Sequence, residues 1–157
     1  MVKKLLSLVV TAALCGATAA TANAMTVSLG TPSISGRVAI TEPVTVSCSV
    51  LDPSLIVYSD YVSVSVEQAS GTAIARGFGA IGGSLPNLPF ACDGSTHTVP
   101  VSISADPLGP PFHGGPAVFT ASATADEATP CFPGSIDCLY NFTGQTAATG
   151  PTPLVLH

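Results

Sequence analysis

Three histidines, nine carboxylates, five cysteines and one glycine-rich hexad are the groups in this 157-residue chain whose chemistry could go beyond packing. None of His97, His113 and His157 stands in the H-E-x-x-H spacing that places two imidazoles on one metal. Gly82-Gly83-Ser84-Leu85-Pro86 is not the G-x-S-x-G elbow that lifts a nucleophilic serine out of a sheet. A hydrolase would therefore have to be built from His97 or His113 and a nearby acid. Gly77-Phe78-Gly79-Ala80-Ile81-Gly82 matches G-x-G-x-x-G letter for letter. That motif needs a helix behind it to hold a pyrophosphate, and Pro86 and Pro89 soon after it forbid one. It reads as a glycine-rich strand end.

The carboxylates do not converge. Asp126 and Glu127 are sequence neighbours, so on a strand they point to opposite faces. A calcium site could draw on Asp93, Asp106, Asp126 and Asp137, since hard cations take carboxylate oxygens. No D-x-D-x-D run supports one, and aspartates capping turns explain the positions better. No catalytic residue, cofactor or metal ligand is expected. The aromatics Tyr58, Tyr61, Phe90, Phe112 and Phe132 fall in apparent loops and are the candidate contact residues for a ligand. The competing role is to plug the ends of the fold. The chain has no tryptophan, which weakens a carbohydrate reading.

Export comes from the first residues. Lys3 and Lys4 precede an apolar run from Leu5, and Ala22-Asn23-Ala24 has the small–x–small form a signal peptidase reads, so residues 1–24 are expected to be a helical signal peptide. Leu14 is too bulky to precede a lipidated Cys15. No later stretch approaches about 18 uninterrupted apolar residues, so no stable membrane insertion is expected after cleavage. Removal of the first 24 of 157 residues leaves 133, one ordinary domain. Arg37 and Arg76 are then its only basic side chains, against nine acids, a net charge of −7. Such a surface repels phosphate backbones and excludes nucleic acid as a partner.

Four cysteines remain after cleavage, and an even count in an exported chain reads as disulfides. Pro133-Gly134 lets Cys131 turn back on Cys138, which leaves Cys48 to pair with Cys92. Loop entropy puts the long bridge at roughly 4 kcal/mol and the short one at roughly 2.5 kcal/mol before strain. The spacings do not fit a structural zinc site.

The elements that would position these groups are strands. Period-two alternation runs through Val44–Val50, Val62–Glu67, His97–Ser104 and Ala117–Ala125, with weaker segments at Thr26–Gly30, Arg37–Ile40, Thr72–Ile81 and Leu139–Thr146. Pro100 on an outward position points to an edge strand or a bulge. Alanines inward around Phe119 predict close approach of another layer. Turn signals at 51–54, 69–71, 92–95 and 106–116 separate the strands. Seven or eight short strands of this kind predict an all-β, antiparallel Ig-like β-sandwich over residues 25–146, with 147–157 a flexible tail.

The strand Val44–Val50 with its cysteine, then Phe90–Val101, then Gly115–Ala121 resembles small secreted β-sandwich proteins of actinobacteria, over roughly residues 40–125. The resemblance implies a fold and an extracellular address, and carries no activity across. It also implies that the sequon Asn141-Phe142-Thr143 is idle. The functional expectation is a secreted, non-catalytic binding or surface-interaction domain, extracellular or envelope-associated, whose partner is a protein or cell-envelope polymer. An extracellular protease or amylase inhibitor is the alternative, using Leu108-Gly109-Pro110-Pro111-Phe112 or the Cys131–Cys138 loop, because a preorganised loop loses little entropy on binding.

Overall fold

The computed structural model describes residues 25–129 and 143–157. The signal segment and the Cys131–Cys138 loop, with Phe132, Asp137 and Asn141, lie outside them. Every described element is a strand: β1 (Thr26–Leu29), β2 (Ser33–Ser35), β3 (Ala39–Ser49), β4 (Ile56–Ser70), β5 (Ala73–Ser84), β6 (Asp93–Ala105), β7 (Gly115–Ala128), β8 (Thr143–Ala148) and β9 (Thr152–Leu156). All pairings are antiparallel, in the order β1-β3-β6-β5-β4-β7-β8, with β2 continuing the β1 edge beside β3 and β9 continuing the β8 edge beside β7.

The long strands outrun the short ones that alternation predicts. Arg37–Ile40 and Val44–Val50 fuse into β3 because Pro43 does not interrupt the ladder. Pro43 stands opposite Pro100. Its carbonyl accepts the Gly30 N–H at 2.9 Å, on the β1 side, so the two prolines form a pair that needs no hydrogen bond between β3 and β6. The missing Pro100 N–H then faces away from β3, along a stretch of β6 with no second neighbour, as expected of an edge proline.

The sheet curls so that β1 returns against β7. Inward positions alternate along each long strand: Val44, Val46 and Cys48 on β3, Val62, Val64 and Val66 on β4, Val99, Val101 and Ile103 on β6, and Phe119, Ala121, Ala123 and Ala125 on β7 are all buried. Each buried valine contributes roughly 1.5 kcal/mol or more through apolar area removed from water. The β7 alanines give room for β1 to close over them.

β5 and β6 pair only at Gly77 opposite Ala105 and Phe78 opposite Ser104. The glycine hexad explains this crossing. A Cβ on Gly77 would stand 2.7 Å from the Phe112 ring and 2.8 Å from the Ser104 carbonyl, and one on Gly79 would overlap the Ser102 carbonyl. The motif that spells a dinucleotide turn is the seat over which one strand crosses another.

One expectation is corrected. Residues 152–157 are not a frayed tail: β9 pairs with Gly115–Phe119, Leu156 is buried, and the His157 carbonyl accepts the Ile34 N–H at 3.0 Å, tying the end of the chain to β2. Pro151 and Pro153 read as breakers in the sequence, but they lie by an edge strand, where a missing donor costs little. The Cys48–Cys92 disulfide forms as expected, with Cα atoms 4.6 Å apart. It joins β3, at the irregularity between Ser47 and Ser49, to the residue just before the neighbouring strand β6.

Candidate binding surface

The register divides the molecule into two ends. At one end lie the 50–55 loop, the 85–92 loop and the disulfide. At the other lie the β2–β3 turn, the 106–114 loop and the β4–β5 turn.

The second end is built around the long β6–β7 loop. Asp106 opens it with a cap: its Oδ1 accepts the Leu108 N–H at 2.9 Å, while the Gly109 N–H returns to the Asp106 carbonyl at 3.0 Å. That closes a β-turn with Leu108 at its third position. Phe112 then dives into the core, fully buried, with its N–H on the Arg37 carbonyl at 3.0 Å. Next, the buried Gln68 amide grips the following residue from both sides, donating to the His113 carbonyl at 2.7 Å and accepting its N–H at 2.9 Å. The His113 ring bridges the carbonyls of Gly114 and Ala69 at 2.9 and 3.0 Å. A loop with four prolines nearby and these fixed bonds has little freedom left to lose.

The loop presents Leu108 at 96 % exposure, beside Val38 at 63 % and Phe78 at 57 %. A groove of about 410 Å³ runs between Phe78 and Pro107, and another of about 480 Å³ between Pro107 and Val38; the two share Ser104–Pro107 as a common wall. A third, of about 240 Å³, adjoins the first across Arg76 and Gly77 and reaches Val118 and Pro151. Gly36 and Arg37 both have positive φ, 61° and 67°, as a type I′ turn demands, which turns Arg37 outward beside Phe112. Arg76 pairs with Glu67 at 2.9 Å on the surface. Both arginines of the 25–157 region thus stand at this end, within a molecule of net negative charge.

Of the aromatics read as contacts, Phe90 and Phe112 are corrected: both are buried, because each closes one end of the core, the competing role named for them. Tyr58 and Tyr61 are 47 % and 44 % exposed, but on strand β4, near the disulfide end, and the Tyr61 ring lies across Gly82. A bulge between Val57 and Ser59 turns Tyr58 outward. The structure therefore does not bring the five aromatics together.

The histidines and acids resolve into local structure. Asp93 Oδ1, Ser95 Oγ and His97 Nε2 form a small cluster, with the ring nitrogen 3.0 Å from the aspartate and 3.1 Å from the serine. A Ser-His-Asp relay needs the acid on one ring nitrogen and the serine on the other. Here both address the same nitrogen and Ser95 also donates to Asp93, so no proton path runs through the ring. These donors hold the Asp93 carboxyl well below the usual carboxylate range. Asp52, Asp93 and Asp106 each accept the N–H two residues on, the turn-capping role. Among the described residues, no three histidine, cysteine or acidic side chains gather as metal ligands.

Three carboxylates unmarked by any motif are buried: Glu42, Asp60 and Glu127. Glu42 accepts the Gly30 N–H at 2.7 Å and Asp60 the Phe90 N–H at 3.2 Å. Glu127 accepts the Leu51 N–H at 2.9 Å and the Gln145 amide at 2.6 Å. Each pins a loop to a strand. Burial pushes the Glu42 carboxyl up and that of Asp60 up to about 6, in both cases against the lowering effect of the bound N–H. Inward register in an alternating strand was the available signal for all three, and so was the outward register of Phe78 on β5.

No protein-family model matches the chain, and no curated protein or solved structure matches it.

Proposed function

We propose that this chain is an exported, non-catalytic binding domain of Ig-like sandwich type, released by cleavage after Ala24, that grips its partner with the arginine-bearing end. The observation that carries this reading is the clamped 106–113 loop, which holds Leu108 almost fully exposed beside Val38 and Phe78. Exposed apolar side chains on a fixed backbone are what interface anchors require, since little entropy is lost when they are covered. Export is supported by the leader pattern and by the Cys48–Cys92 bridge.

The test is capture from the producer's envelope and culture fluid on the immobilised, oxidised chain, in parallel with a Leu108→Asp/Phe78→Ser variant. Both positions are exposed, so the variant should keep the parent's melting temperature. Material retained by the parent and lost by the variant is the expected result; retention by both would remove this end as the contact surface.

The same loop supports a second reading as an enzyme inhibitor, favoured by the exposure of Leu108. Its closed β-turn would act as a plug, not as an extended substrate mimic. Inhibition of secreted proteases or amylases at micromolar chain, lost in Leu108→Asp, would favour it.

A further inference from the structure

Residues 85–91, between β5 and β6, form a strap fixed at both ends and held in the middle by one titratable group. At its start the Leu85 N–H meets the Tyr58 carbonyl at 3.0 Å, and just past its end Cys92 is bonded to Cys48. Pro86 and Pro89 have no N–H, and the Asn87 N–H returns to the Ser84 carbonyl at 2.9 Å. Among the described residues, the only N–H of 86–91 that donates beyond this turn is that of Phe90, to Asp60 Oδ2 at 3.2 Å. Packing holds the rest. Phe90 is buried, Leu88 lies half-buried against the core, and the Asn87 carbonyl rests where a Cβ on Gly83 would stand. Gly83 is opposite Asp60 in the β4–β5 ladder, so the strap lies across the pair that carries the carboxylate.

Asp60 is only 4 % exposed, and its Oδ1 has no hydrogen-bond partner. A bare buried oxygen favours the neutral acid, whereas water solvates the ion once the strap is off. No cation pairs with Asp60 among the described residues. It faces Gly83 on β5 and Ala125 on β7, and no side chain of 85–91 titrates. Glu127 on β7 is engaged by the Leu51 N–H and the Gln145 amide, and Asp126 on the outer face accepts from Ser59. Asp52 caps its own turn, and Asp93 and His97 on β6 pair with each other. Tyr58 and Tyr61, beside Asp60 on β4, point outward. Burial accordingly pushes the Asp60 carboxyl up to about 6. We propose that residues 85–91 are an acid-closed strap: with Asp60 protonated it stays docked with Phe90 in the core, and with Asp60 ionised it lifts between its two anchors and uncovers the disulfide end of the core. The docked state holds the proton more tightly than the lifted one, so docking is strongest below about pH 4 and weakens as pH rises through 6. This is independent of the binding-domain reading, which concerns the other end.

The test is site-resolved amide exchange on the oxidised chain at pH 4.5 and pH 7.5, corrected for the intrinsic pH dependence of exchange. At both pH values the Phe90 amide should exchange faster than the amides of β4, the mark of an opening that belongs to the strap alone. Its protection should fall at least about fivefold from the lower pH to the higher. Asp60→Asn should hold that protection constant, and Gly83→Ala, whose methyl displaces the Asn87 carbonyl, should leave it low at both pH values. A parent that shows no fall, Phe90 and β4 amides that exchange together, a fall that persists in Asp60→Asn, or a Gly83→Ala strap as protected as the parent's would each overturn the proposal. The first two outcomes are read on the parent, so they decide even where a variant fails to fold.

Discussion

The two ends of the curled sheet are closed by different chemistry. The disulfide end uses a covalent bridge and two buried carboxylates, Asp60 on the Phe90 N–H and Glu127 on the Leu51 N–H. The arginine-bearing end uses a neutral amide, Gln68, and a buried ring, Phe112. The raised Asp60 carboxyl makes one end respond to pH and the bridge makes it respond to reductant. The end that carries the exposed apolar groups has no bridge among the described residues, and the Gln68 amide that clamps its loop does not titrate.

The largest effect that would sharpen this contrast comes from the bridge. Replacing Cys48 and Cys92 together by alanine should cost about 4 kcal/mol before strain is subtracted, given a sequence separation of 44, read by denaturant unfolding. Amide exchange should then rise in the 50–56 and 85–92 segments and stay unchanged at 106–114. Equal loosening of both ends would break the comparison.

The crossing of β5 over β6 supports the arginine-bearing end alone. Gly79→Ala forces a methyl onto the Ser102 carbonyl and should cost about 2–3 kcal/mol by thermal or chemical melting. A tolerated alanine would mean that the strands can part without harm.

How much of this was legible in the sequence depends on range. Alternation located the middles of β3, β4, β6 and β7, since a period of two is written in adjacent residues. The ends were not legible, because Pro43 and Pro153 look like stops unless the partner strand is known. The spacing of Cys131 and Cys138 left Cys48 for Cys92, and the bridge is there, but that it ties β3 to the residue just before β6 is a fact of topology. Phe90 and Phe112, flanked by prolines and glycines, resemble surface-loop aromatics; only the closed fold shows that they plug its ends. Arg37, Phe78 and Leu108 are distant in sequence, and the crossing at Gly77 is what gathers them.

A smaller effect separates the clamps themselves. Gln68→Leu keeps the volume but strands the His113 N–H and carbonyl, at a cost of about 2 kcal/mol in unfolding free energy. The loss should be the same at pH 5 and pH 8 if the clamp is as neutral as its chemistry implies.

The smallest effect is the pH response of the other end. Asp60 is raised from 3.8 to about 6 in the folded state, so the folded chain holds a proton that the unfolded chain releases. Stability from this group is therefore fully present below about pH 4 and is lost as pH rises through 6, the reverse of a salt-bridged carboxylate. Between pH 7 and pH 4.5 the parent should gain on the order of 1 kcal/mol, allowing for solvent screening at the rim. Asp60→Asn should flatten that slope. An unchanged slope would assign the response to Glu42, which is shifted in the same direction.

The opposed prolines of β3 and β6 bear on how such molecules behave when crowded. Along its unaccompanied side, β6 offers an incoming strand no donor at Pro100. Edge-to-edge strand addition needs an unbroken row of donors and acceptors, so one imino acid works against neighbouring copies zipping together along this side of β6.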